Sequence, residues 1–151
     1  VHELNIYLEQ TNKGLKATQG MYGYVIEMVT GEQIKTKEVF EEDKGTAHET
    51  ELMAIHDALH RLTKPCIVTI YSPHGFFKSA VVGHWLKKWK ENDWLNAKGK
   101  PVANKVIWKA LDVEMQKHTI IMGNQSHKYQ EWLLHEMKQR RKQKCLIDLG
   151  I

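Results

Sequence analysis

Leu4, Ile6 and Leu8 alternate with Asn5, Tyr7 and Glu9, and this period of two predicts a first strand with one face in a core. A polar loop with Gly14 and Gly20 follows. Residues 21 to 29, rich in Tyr, Val, Ile and Met, read as a second strand, Thr30-Gly31 as a turn and Gln33 to Phe40 as a third strand. Glu41 to Gly45 reads as a solvated acidic break. Thr46-Ala47-His48-Glu49 has the spacing of a capping box, and Leu52, Ile55, Leu59 and Leu62 recur behind it at helical intervals. A helix is therefore expected to about Leu62, ahead of Pro65. Cys66 to Tyr71 is a short apolar run, as an interior strand is, and Pro73-His74-Gly75 breaks it. Val81, Trp85 and Trp89 fall four apart and predict one helical stretch from near Phe76. Another helix is expected from about Asn104, with Ile107, Trp108 and Leu111 on its apolar side. Thr119 to Met122 is the last strand, and a final helix carries Tyr129, Trp132, Leu133 and Met137 before a basic tail.

The order β-β-β-α-β-α-α-β-α predicts an α/β fold, a mixed five-stranded sheet with helices on both faces. Strands joined through helices imply right-handed crossovers and a partly parallel sheet. The chain of 151 residues fits one domain with a sizeable core, and no repeat or interdomain linker interrupts it.

Composition changes the picture at two places. Residues 78 to 109 hold eight lysines against Glu91 and Asp93, and residues 138 to 144 hold Lys138, Arg140, Arg141, Lys142 and Lys144 with no acid. These segments carry +6 and +5 within a net charge of +4, which leaves −7 for the rest. A mildly acidic body with two basic segments points to a polyanionic partner, with a solvated helix face as the other reading of the charge. For the tail, a frayed and solvated helix end is the expectation. Two cysteines, Cys66 and Cys145, cannot form a metal cluster or a disulfide framework alone, so a reducing, cytoplasmic setting is expected. No apolar run approaches the roughly 20 residues of a membrane span, and no membrane partner is expected.

From Trp85 to Asn104 the chain reads WLKKWKENDWLNAKGKPVAN, with Trp108 beyond it. This stretch resembles the basic protrusion of bacterial type I ribonuclease H in the spacing of its tryptophans and lysines and in its Lys-Pro-Val segment. Glu51-Leu52-Met53-Ala54 resembles the start of that family's first helix, and Gly123-Asn124-Gln125-Ser126-His127 its late loop. The resemblance runs from about residue 4 to 137 and agrees with the element order; residues 138–151 form a tail outside it.

The resemblance implies a ribonuclease H-like fold and an activity that cleaves the RNA strand of an RNA/DNA hybrid, with four carboxylates holding two divalent ions. Two such ions stabilise the attacking and leaving oxygens, and clustered hard anionic oxygens hold them. Carried over position by position, the first-strand aspartate falls at Glu9 and the helix glutamate at Glu51. The aspartate after the fourth strand falls at His74, the last-helix aspartate at Leu134 and the loop histidine at Asn124. Neutral imidazole is a poor magnesium ligand and leucine is none, so efficient two-magnesium hydrolysis is expected to be lost.

The substrate-binding positions implied by the resemblance are better kept. Thr46 falls where the family contacts a phosphate, at a helix start whose free amides favour anions. Trp85, Lys87, Lys88, Trp89, Lys90 and Trp94 lie on the protrusion, with Lys98 and Lys100 after them; tryptophans interleaved with lysines suit a sugar-phosphate surface. Trp89 or Trp108 also reads as core of the handle, whereas Trp94 and Lys98 are expected to be exposed. His74 also reads as a loop residue with a satisfied hydrogen bond, and Glu131 and His135 lie beside Leu134 but point elsewhere around the helix.

The expectation is a binder of RNA/DNA hybrid or duplex with absent or impaired nuclease activity and no required cofactor. One alternative is a slow nuclease in which Glu9, Glu51 and His74 hold one manganese or other divalent ion. Another is a protein-interaction module of a larger complex, with a protein as partner.

Overall fold

The computed structural model describes residues 2–148; the end of the basic tail, 149–151, lies outside them. Three strands open the chain: β1 (His2–Gln10), β2 (Thr18–Thr30) and β3 (Gln33–Gly45). They pair antiparallel, with Ile6 opposite Ile26 and Val25 opposite Glu38. Then β4 (Cys66–Tyr71) joins β1 in parallel and β5 (Thr119–Met122) joins β4, giving the order β3-β2-β1-β4-β5. The helices are α1 (Ala47–His60), α2 (Phe76–Val82), α3 (Trp85–Glu91), α4 (Lys105–Met115) and α5 (Gln130–Asp148). None of them is long and apolar enough to cross a membrane.

The strand alternation divides the core. Leu4, Ile6 and Leu8 face one side with Val68 and Ile70, where Leu52, Ile55 and Leu59 of α1 and Trp108 and Leu111 of α4 cover them. Tyr7, Met21 and Val25 face the other side, under Leu133 and Met137 of α5. The second face also holds Glu27, almost fully buried, which accepts from Asn5 Nδ2, Tyr7 Oη and Tyr129 Oη and pairs with Lys128 Nζ at 2.7 Å. Burial alone would raise the Glu27 pKa; Lys128, Asn5 and Tyr129 outweigh it and hold the carboxylate below its ordinary range. The chain entering α5 is thereby fixed to β1 and β2.

Two boundaries differ from the sequence pattern. Glu41 to Gly45 is not a break: β3 continues through it, each residue paired from Thr18 to Tyr22. Acidic residues suit this place because β3 is an edge strand, where charge keeps the open side from pairing with another chain. The helix through Val81, Trp85 and Trp89 is in fact two, α2 and α3. His84 adopts a left-handed conformation, φ 60°, and the Trp85 indole lies across Gly83, where an added Cβ would come within 3.1 Å of Nε1. The turn redirects the handle while keeping Trp89 on the core.

Trp108 is the largest fully buried side chain; it stacks on Phe77 at 5.9 Å and takes the edge of Trp89 at 5.4 Å. Trp108→Ala is expected to cost about 3–5 kcal/mol of stability in denaturant unfolding, as large aromatic deletions in cores do. A loss below about 1 kcal/mol would show that the handle is not seated through this ring.

Candidate active site and nucleic-acid interface

The C-terminal end of β1, the exit of β4 and the start of α1 converge, because β1 and β4 run parallel, α1 packs across β1 and β2, and Glu51 of α1 bonds to the residues that follow β4. Glu9 arrives there on β1, Glu51 on the second turn of α1, and Ser72, Pro73 and His74 follow β4.

Glu51 is fully buried. Its Oε2 accepts from Ser72 Oγ at 2.6 Å and its Oε1 from the Phe77 amide at 2.8 Å. Burial pushes its pKa up to about 7, against the opposing pull of Ser72, Phe77 and His74. Glu9 is also buried; its Oε1 accepts from the Gln10 amide at 2.9 Å and stands 3.5 Å from His74 Nε2. That separation makes an ion pair whenever the imidazole carries its second proton. Ser72 Oγ also reaches the His74 carbonyl at 3.3 Å, so Glu9, His74, Ser72 and Glu51 form a connected series.

On the other side of Glu9, His127 Nδ1 accepts from the Tyr129 amide at 3.2 Å. Its single remaining proton therefore lies on Nε2, which donates to the Leu8 carbonyl at 2.9 Å. Burial lowers the His127 pKa, the direction this neutral tautomer requires. Leu134 is half-buried against the cluster of Tyr7, Met21, Val25, Leu133 and Met137, while Asn124, Glu131 and His135 are exposed.

These donors do not fit a pair of hard divalent ions. The Glu51 oxygens are turned to a hydroxyl and an amide, Glu9 to an amide and an imidazole, and Leu134, where the family resemblance expects an aspartate on α5, has no side-chain oxygen to offer. Among the described residues no three His, Cys, Asp or Glu side chains gather as metal ligands, Glu9, Glu51 and His74 included.

Sequence reasoning gave Ser72 and His127 no role. Ser72 is the first residue after the apolar run of β4, a position from which a side chain reaches α1; His127 lies in the quoted late loop.

The helix start at Thr46 is a full capping box. Thr46 N–H donates to Glu49 Oε1 at 3.1 Å, Glu49 N–H to Thr46 Oγ1 at 3.2 Å, and Ala47 N–H to the Gly14 carbonyl at 3.0 Å. A phosphate arriving here competes with the Glu49 carboxylate for the Thr46 amide, with Thr46 Oγ1 for the Glu49 amide and with the Gly14 carbonyl for the Ala47 amide.

On the handle, Trp85, Lys87, Lys88, Lys98 and Lys100 are exposed. Lys90 is held by Asp112 at 3.1 Å, and Trp89 is half-buried. Trp94, expected in solvent, is instead half-buried against the main core; left-handed backbone at Asp93 and Trp94, φ 54° and 60°, turns its ring inward.

The RNase H family sequence model matches residues 6–128. Ribonuclease H of Haemophilus influenzae (strain 86-028NP) is 33% identical over 135 residues, covering 87% of this chain and 85% of that protein. Ribonuclease H of Clostridium botulinum (strain Hall) is 34% identical over 121 residues, covering 77% of this chain and 78% of that one. Among solved structures, LC9-RNase H1, a type 1 RNase H with the type 2 active-site motif, matches with a TM-score of 0.74 at 14% identity over 89% of this chain and 70% of its own. The PFV RNase H domain matches with a TM-score of 0.58 at 19% identity over 81% and 78%. At such identities the two structures speak to the fold alone.

Glu51 makes a pH prediction. A carboxyl whose pKa is higher folded than unfolded stabilises the fold fully below its unfolded value near 4.5, and that contribution is lost as pH rises through about 7. Glu51→Gln keeps an acceptor for Phe77 and carries no charge. It is expected to overtake wild type in stability above pH 7, by up to about 3 kcal/mol, with the gap closing towards pH 5. Parallel unfolding curves at every pH would contradict the assignment.

Proposed function

This chain belongs to the ribonuclease H family, and from that membership we propose that it binds RNA/DNA hybrid or duplex while cleaving it poorly in magnesium. The observation that carries this reading is the Glu51 carboxylate, closed by Ser72 and Phe77 where a metal ligand is expected. The exposed Trp85, Lys87, Lys88, Lys98 and Lys100 supply the complementary part, a basic aromatic surface that needs no metal.

A second reading keeps turnover: slow, divalent-metal-dependent cleavage of hybrid using Glu9, Glu51 and His74. The relatives named ribonuclease H, at about one-third identity over most of the chain, favour it. It requires Glu51 to exchange Ser72 and Phe77 for a cation. Manganese-dependent cleavage that His74→Ala abolishes is the result expected of this reading; equal manganese binding by both proteins in calorimetry would remove His74 from it.

Binding is expected to weaken steeply with salt, since each neutralised phosphate contributes about 0.9 to the log-log slope on duplex DNA. Replacing Lys87, Lys88 and Lys90 together by Ala should flatten the slope, with Lys90 contributing least because Asp112 already pairs it. Wild-type affinity and slope in that variant would exclude the handle as the contact. For the site, Glu9→Asp, His74→Asp and Leu134→Asp combined should raise magnesium-dependent cleavage above wild type. No gain in a folded triple variant would count against the idea that these three positions limit the chemistry.

A further inference from the structure

The basic tail is not a frayed end. After Leu133 and Met137, the same face of α5 presents Arg140, Arg141 and Lys144, and each docks on the sheet. The Arg140 guanidinium lies 4.1 Å from the Phe40 ring centroid, Arg141 Nη2 donates to the Gln19 carbonyl at 3.1 Å, and Lys144 pairs with Glu42. Of these, Arg140 and Arg141 meet a ring and a carbonyl in these contacts, neither of which neutralises their charge. Lys138 and Lys142, one helical turn apart, are exposed and meet no acidic group among the described residues.

The docking place matters. Gln10 stands opposite Tyr22 and Thr18 opposite Gly45, so Gln19 and Glu42 lie at the sheet end to which β1 delivers Glu9. The loop between β1 and β2 carries exposed Lys13 and Lys16 and is bonded to the start of α1 through Gly14. The handle packs through Trp89 and Trp94 on the opposite sheet face from α5. Two basic surfaces therefore lie on opposite faces of the sheet, the α5 surface at the Glu9 end.

We propose that the C-terminal half of α5, with Lys13 and Lys16, is a second nucleic-acid contact that takes the sugar-phosphate backbone of a duplex extending past the site on the side away from the handle. The inference rests on the hybrid-binding reading, and its α5 part lies beyond the residues that the family match covers, which end at 128. A docked helix suits this role better than a loose tail, because its cations are held in place before the duplex arrives.

The test is fluorescence anisotropy of a labelled RNA/DNA hybrid across a salt series. It compares wild type with Lys138→Ala/Lys142→Ala, the matching Lys→Arg pair, and the triple alanine variant of Lys87, Lys88 and Lys90. The alanine pair is expected to bind about tenfold more weakly at low salt and to lower the slope by about two, with the arginine pair near wild type. If the handle variant weakens binding and the α5 pair matches wild type in affinity and slope, the tail serves only to hold the acidic edge of the sheet; the inference is overturned and the reading it rests on stands. If wild type does not bind hybrid at all, both fall.

Discussion

The molecule is organised around a carboxylate with no access to water. Glu51 lies at the junction of three elements, and its two hydrogen bonds reach the residue leaving β4 and the first turn of α2. Each bond to an ionised group is worth roughly 1.5–3 kcal/mol net, whereas burying the charge costs several. The two bonds do not fully offset burial, and the pKa settles at about 7. Because Phe77 is one of the partners, the same carboxylate sets where α2 begins, and Phe77 in turn stacks on the Trp108 that seats the handle.

Under the proposed function, that arrangement would separate affinity from turnover. Holding a duplex would draw on the exposed cations and indole faces of the handle and along α5, away from the interior of the site. Cleavage by the family's chemistry would draw on converging anionic oxygens, and here the two acids are met by a hydroxyl, two amides and an imidazole.

Much of the fold was legible because it rests on short-range pattern. Leu4, Ile6 and Leu8 alternate into the core as their period requires, and the Thr46–Glu49 spacing produced the reciprocal bonds of a capping box. Most of the features that are not legible depend on partners distant in sequence. The acids of residues 41 to 45 look like a break until β2 is placed beside them. The left-handed turns at His84 and Trp94 are local geometry that apolar spacing does not encode. In the site, position along the chain points to His74, which does meet Glu9, whereas the role of Ser72 follows only from the hydrogen-bonding needs of a buried Glu51. The tail read as solvated because its anchors, Phe40, Gln19 and Glu42, lie about a hundred residues earlier in the chain.

The most direct measurement follows one labelled RNA/DNA hybrid in a single sample with excess wild-type protein and magnesium, reading binding by anisotropy and strand integrity on a denaturing gel. Saturable, salt-sensitive binding with the RNA strand cut no faster than in buffer is the result expected. Complete cleavage of the bound hybrid on the timescale of mixing would contradict it, and would mean that the Glu51 carboxylate leaves Ser72 and Phe77 to take up a metal.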